Sequence, residues 1–204
     1  TTIRINTLKT LKEEVLKELD ELGILYEQNE LFCDALIIKN KTSKEVLELE
    51  LCKMGKIYLQ SLSSQLPALL LNPKESCDIL DMCASPGSKT TYLAQLVNNN
   101  AFITACEIDK IRMERLKFNV NKLGATCVNF ICTDSRKLDD YFRFDQILLD
   151  APCSGSGTLS VHDKSMMKFS KALVYNSSKL QTELLKKALT ILKPGQEMIY
   201  STCS

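Results

Sequence analysis

The chain has 204 residues, 45% of them hydrophobic and 25% charged, with a formal net charge of +1. This is the composition of a soluble globular protein with one well-buried core and a small appendage, which excludes wholesale disorder. The near-zero charge also excludes bulk electrostatic attraction as the means of holding a nucleic acid, so such a partner must be held by a local basic face.

Residues 1–60 read as one small α+β unit. "TIRIN" is a short strand, and Thr10 with Glu13 has capping-box spacing for a helix that closes near Gly23. Leu11, Val15, Leu19 and Leu22 are its expected buried face, and "LFCDALII" and "EVLELEL" read as strands. From residue 61 to 204 the chain reads as a second domain, in which strand and helix alternate. "CDILDMC" is a strand, followed by a turn with Pro86 and Gly87 and a helix from about Lys89 to Val97. "AFITACEI" is the next strand, and the helix after it carries Met113, Leu116, Val120 and Leu123 on one face. "CVNFIC", "DQILLD" and "QEMIYSTC" are three more strands, the last preceded by a helix with Leu180, Leu184, Ala188 and Ile191 inward. Strands apolar nearly throughout, separated by amphipathic helices, imply a parallel sheet covered on both faces, so the fold class is α/β, doubly wound and Rossmann-like.

In such sheets ligands bind beyond the carboxyl ends of the strands. The residues to weigh are therefore "CASPGSKT" after the first strand of the second domain, Glu107 and Asp109 after the second, Asp134 after the third, "DAPCSGSG" after the fourth and "STCS" after the fifth. The first loop is not a P-loop, because Cys83 to Lys89 contains only Gly87 where two glycines five apart are needed, and it does not fit G-x-G-x-x-G. It offers instead a close backbone approach and a helix N-terminus suited to a carboxylate. Glu107 is placed to accept hydrogen bonds from both ribose hydroxyls of an adenosine-containing cofactor, with Asp109 a second polar contact there and Asp134 a partner for the adenine amino group. A nucleoside-binding edge without a phosphate cradle suits S-adenosyl-L-methionine better than NAD or ATP.

Nine cysteines are present, and none forms a C-x-x-C pair or a zinc-spaced cluster, so no metal is expected. Most lie in apolar runs and read as reduced, buried thiols of a reducing compartment, cytoplasmic or, in a eukaryote, nuclear or nucleolar. No apolar run reaches the roughly twenty residues that span a bilayer. Lys164, Lys168, Lys171, Lys179, Lys186, Lys187 and Lys193 form a candidate basic face, while His162 lies in a polar loop and is expected at the surface.

"DMCASPGSKTTYLAQL", "DAPCSGSG" and "LKPGQEMIYSTCS", in that order on successive strand ends, resemble the Nol1/Nop2/Sun family of RNA (cytosine-5)-methyltransferases, which includes bacterial ribosomal-RNA enzymes. "TTIRINTLKT" is similar to the R-x-N-T-x-K entry of that family's N-terminal RNA-binding domain, and "IYLQSLSSQLPALLL" to its Q-x-x-S segment. Ser85 and Ser88 stand where many members have Ala and Gly. The resemblance implies methyl transfer from S-adenosyl-L-methionine to cytosine C5 in RNA, ribosomal before transfer RNA, through a covalent cysteine–C6 adduct. It also implies further strands beyond Ser204, so that this chain is a truncated domain and can be inactive alone.

By the same resemblance Cys203 is the attacking thiolate and Cys153 assists release of the product. The DNA enzymes attack from a Pro-Cys, which keeps Cys153 as the alternative nucleophile. Asp150 is expected to contact the base at N3 or N4 and to be buried beside the cofactor, and Lys89 to stabilise the thiolate. The cofactor would be held by Cys83, Ala84, Ser85, Pro86, Gly87, Ser88 and Lys89, with Glu107, Asp134 and Asp150. Gly155 and Gly157 would give the backbone a path near the substrate, and Arg4 and Lys9 would hold RNA phosphates. An inactive RNA-binding assembly factor on the same frame is the reading from another class. An amino-methylating enzyme is disfavoured because Cys153 stands where its base-stacking aromatic belongs.

Overall fold

A computed structural model describes residues 1–154 and 170–203. In the N-terminal unit β1 (Thr2–Ile5) pairs antiparallel with both β3 (Ala35–Ile38) and β4 (Ile57–Leu59), and β2 (Tyr26–Gln28) pairs with β3, giving the order β2-β3-β1-β4. Helix α1 (Lys12–Glu21) packs Val15 and Leu19 onto this sheet with Ile3, Ile5, Leu36 and Ile57. Leu11 and Leu22, expected inward, are exposed. Helix α1 begins one residue later than the Thr10–Glu13 spacing predicts, and it is Glu14 that accepts from the Thr10 hydroxyl, at 2.8 Å.

The "EVLELEL" stretch is not a strand. It forms α2 (Ser43–Glu48) and the single turn α3 (Glu50–Lys53), burying Val46, Leu51 and Cys52. A capping box decides it: the Thr42 hydroxyl accepts from Glu45 N, and the Glu45 carboxylate accepts from Thr42 N at 2.8 Å. α4 (Leu62–Leu71), capped by Ser61, then leads into the second sheet.

That sheet is parallel throughout, in the order β7-β6-β5-β8-β9. Its strands are β5 (Asp78–Asp81), β6 (Phe102–Cys106), β7 (Val128–Ile131), β8 (Phe144–Asp150) and β9 (Leu192–Ser201). The side-chain period of two divides the core. Ile79, Ile103 and Leu148 face α4, α5 (Ser88–Leu96) and α6 (Lys110–Leu123), while Leu80, Ile147 and Leu149 face α7 (Lys171–Ile191). Met113, Leu116, Val120 and Leu123 of α6 are buried as their spacing predicts, as are Leu184, Ala188 and Ile191 of α7. Helices on both faces make this a doubly wound α/β domain, with its order reversing between β5 and β8, where such sheets open a crevice for ligand.

Candidate active site

A cavity of about 350 Å³ lies beyond the carboxyl ends of these strands, within the range of small-molecule sites. It is lined by side chains from every one of the five strand-end loops, among them Cys83, Ser85, Glu107, Asp134, Asp150, Cys153 and Cys203, with Ile108, Leu180 and Leu184 as its apolar surface.

One wall carries carboxylates. Glu107, directly after β6, is buried; it accepts from Asp109 N at 3.0 Å, and its other oxygen meets Arg112 Nη2 at 3.3 Å. Arg112 also donates to the Ser85 carbonyl, and the Ser85 hydroxyl returns a bond to the Arg112 carbonyl, so the first loop is tied to α6 on both sides. Asp109 is spent as the N-cap of α6, accepting from Arg112 N at 2.8 Å, and does not line the cavity. Asp134, after β7, is gripped by Arg136 through Nε and Nη2, which holds its carboxyl below the usual range; Arg136 also pairs with Glu183 of α7.

The opposite wall carries the nucleophile candidates. Asp150 ends β8 and is in register with Ser201 at the end of β9. Its Oδ1 accepts from Ser201 Oγ at 2.7 Å and its Oδ2 meets Lys89 Nζ at 2.6 Å. Asp150 was expected to be buried, but its side chain keeps 32% exposure and its carboxylate is held by ion pairing and a hydroxyl instead. Lys89 reaches it from the first turn of α5 and also donates to Ser64 Oγ at 3.4 Å. Cys153 and Cys203, 50 residues apart, are joined as a disulfide with Cα atoms 6.3 Å apart. In this oxidised state neither sulfur is a nucleophile; reduction leaves two thiols side by side at the cavity wall. The strand-end thiols Cys83 and Cys106 are poor candidates, since burial pushes Cys106 up to about 12 and raises Cys83 as well.

Not all of the first loop meets the cavity. Cys83 and Ser85 line it, whereas Ala84, Pro86, Gly87, Ser88 and Lys89 do not. Ala84 is core, and the Pro86 carbonyl accepts from Asn119. Gly87 has φ +100°, a left-handed conformation that favours glycine, and a Cβ there would also come within 2.9 Å of Leu116 Cδ1 of α6.

Arg4 is not free to hold a phosphate: it is fully buried, between the first sheet and α5. Lys9 is at the surface, donating to the Met54 carbonyl. Two lysines of the expected basic face are spent on internal pairs, Lys187 with Asp140 and Lys193 with Asp145. Gly155, Gly157, His162, Lys164 and Lys168 lie outside the described residues. Sequence reasoning missed Ser201, Arg112 and Arg136; only Ser201 left a signal, two residues before Cys203 in the same motif. It also missed Asp81, fully buried at the end of β5, with Thr90 Oγ1 donating to its Oδ2 at 2.7 Å and burial pushing its carboxyl up to about 6.

The donor set fits an adenosine-bearing ligand: two carboxylates, each held by an arginine, and an apolar surface line the wall, and no glycine-rich phosphate cradle is present among the described loops. Among the described residues no helix is long and apolar enough to cross a membrane.

The family model described as 16S rRNA methyltransferase RsmB/F matches residues 68–204. A probable ribosomal RNA small subunit methyltransferase B of Bacillus subtilis (strain 168) is 31% identical over all of this chain and 45% of its own length. A Homo sapiens 28S rRNA (cytosine(4447)-C(5))-methyltransferase is 32% identical over all of this chain and 26% of its own length. The chain thus spans less than half the length of these curated relatives. A solved methyltransferase homolog protein from Pyrococcus horikoshii superposes over the whole chain and 64% of its own, with a TM-score of 0.87 and 33% identity.

Proposed function

The chain belongs to the RsmB/F family of 16S rRNA methyltransferases, and from that premise we propose that it is the core of an enzyme transferring a methyl group from S-adenosyl-L-methionine to C5 of a cytosine in RNA, ribosomal RNA in preference to transfer RNA. The observation that carries this reading is the meeting of Cys153 and Cys203, from two separate strand ends, beside the Lys89–Asp150 pair on the wall of a carboxylate-lined cavity.

Cytosine C5 is a poor nucleophile until a thiolate adds to C6. The reduced Cys203 supplies that thiolate, and the target base reaches it only by leaving its stack. Asp150, held by Lys89 and Ser201, meets the ring edge at N3 or N4 and, carrying a proton, gives it to N3 as the thiolate adds to C6, so that no charge is left on the ring. Glu107 and Asp134 bind the ribose and adenine of the cofactor, which supplies an electrophilic methyl group. Cys153 assists the last stage, in which the C5 proton leaves and the bond to Cys203 breaks. Residues 1–60 and the exposed Lys171, Lys179 and Lys186 hold the RNA backbone. The work belongs to the cytoplasm, or the nucleolus of a eukaryote.

Incubating the full protein that carries this chain with methyl-labelled S-adenosyl-L-methionine and total RNA, then mapping the label, tests the reading. The expected product is 5-methylcytosine in ribosomal RNA. Label on an exocyclic nitrogen refutes it, and saturable cofactor binding without labelled RNA favours the inactive assembly factor.

A further inference from the structure

While Ile3 and Ile5 of β1 face α1, the side chains of Arg4 and of Asn6, just after the strand, are turned towards α5 and α6 rather than out to solvent. Asn6 Nδ2 donates to the Gly55 carbonyl and to the Leu123 carbonyl at the end of α6, both at 2.8 Å. Gln95 of α5 donates to the Ile5 carbonyl at 3.0 Å and to Asp34 at 2.9 Å. Arg4 makes the most direct link. Its Nη1 donates to Gln60 Oε1 at 2.9 Å and to the Ser88 carbonyl at 3.0 Å, its Nη2 donates to Thr91 Oγ1 at 3.0 Å, and its guanidinium lies 4.7 Å from the Tyr92 ring centre and 5.6 Å from that of Tyr58. Ser88 and Thr91 flank Lys89 in the first turn of α5. Gln60 carries a second route, because its Nε2 donates to the carbonyl of Ser64, whose hydroxyl accepts from Lys89.

We propose that Arg4 is a positioning residue for the reaction: through Ser88 and Thr91, and through Gln60 and Ser64, it fixes the turn that presents the Lys89 ammonium to Asp150. The inference rests on the reading of Lys89 and Asp150 as part of the reaction centre. Burial lowers the guanidinium only to about 10, chiefly by desolvation, so Arg4 keeps its charge and all its donors at neutral pH. Its place is internal, so its loss acts on the geometry of the dyad and not on capture of RNA. A misplacement of the order of 1 Å in a reacting group costs up to about 100-fold in rate.

The test uses the full protein with Arg4→Met, Gln60→Leu and Ser64→Ala, each checked for thermal unfolding. Two readouts are compared: kcat and KM for cytosine methylation, and the rate of reductive dimethylation of Lys89, read by mass spectrometry without cofactor or RNA. The expected result is a kcat lowered roughly 10–100-fold in Arg4→Met and less in the others, unchanged KM for RNA, and Lys89 labelling that rises in the same order. Should Arg4→Met fail to fold, the other two variants carry the same ordering. Loss of RNA affinity with kcat intact, or a kcat loss without faster Lys89 labelling, overturns the proposal. Faster labelling in a protein that does not methylate cytosine C5 supports the placement of Lys89 by Arg4 and refutes only the functional reading.

Discussion

The two walls of the cavity are built in opposite ways. On the carboxylate wall Glu107 and Asp134 stand on short loops, each locked by an arginine from the next turn of chain, and Arg112 is itself bonded back to the Ser85 loop. On the thiol wall Cys153 and Cys203 sit on the free ends of β8 and β9, with a covalent state that can change. The first wall is preorganised, so that binding costs little rearrangement. The second has to make and break bonds, and the Lys89–Asp150–Ser201 chain of contacts helps to fix its place.

Removing the thiol wall's chemistry should have the largest effect. Cys203→Ala is expected to lower kcat for cytosine methylation by roughly 1,000-fold or more with the cofactor Kd unchanged, as steady-state rates and calorimetry would read. Near-normal turnover in that variant would move the nucleophile to Cys153. Oxidation comes next: diamide, a thiol oxidant, should take two electrons and two protons from the pair, stop turnover and lower the mass by about 2 Da, with dithiothreitol restoring both. Persistence of activity in the fully oxidised protein would remove the thiols from the mechanism. Asp150→Asn should then cost roughly 100-fold or more in kcat, again with little change in cofactor affinity.

The carboxylate wall should answer in the other parameter. Glu107→Gln is expected to weaken cofactor binding by about tenfold, the scale of one charged hydrogen bond, while kcat at saturating cofactor stays near normal. A kcat loss there would mean that the two walls do not divide the work. The smallest effect concerns Asp81. Its carboxyl titrates near 3.8 unfolded and about 6 folded, raised mainly by desolvation against the opposing Thr90 bond and Lys89 charge, with Asp150 adding to the rise. The folded state therefore binds the proton more tightly, and this group's contribution to stability falls as pH rises from about 4 to about 6. Asp81→Asn should flatten that part of the pH–Tm curve, measured by scanning calorimetry.

Much of the second sheet was legible because its signals are local: α6 runs from Lys110 to Leu123 between an Asp109 cap and Gly124, with all four apolar positions buried as spaced. The strand-end motifs likewise brought Lys89, Asp150, Cys153 and Cys203 to one place. The N-terminal unit was read less well, since the alternation in "EVLELEL" imitates a strand and the Thr42–Glu45 cap outweighs it. Arg4 was misplaced for a different reason. An arginine near a basic motif reads as a phosphate contact, and nothing local announces that Gln60, Ser88 and Thr91, up to 87 residues away, close around it. The arginines locking Glu107 and Asp134 were hidden in the same way, because side-chain pairing belongs to tertiary packing and leaves no periodicity.

The most direct test of cytosine C5 chemistry at this site is covalent trapping. RNA carrying 5-fluorocytidine cannot lose a proton from C5 after methyl transfer, so the thioether to C6 persists through denaturing electrophoresis. The full protein with both cysteines reduced, and its Cys153→Ser variant, should form this adduct in the presence of S-adenosyl-L-methionine, and Cys203→Ser should not. An adduct that survives Cys203→Ser, or none from any of the three proteins while RNA is still methylated, would contradict it.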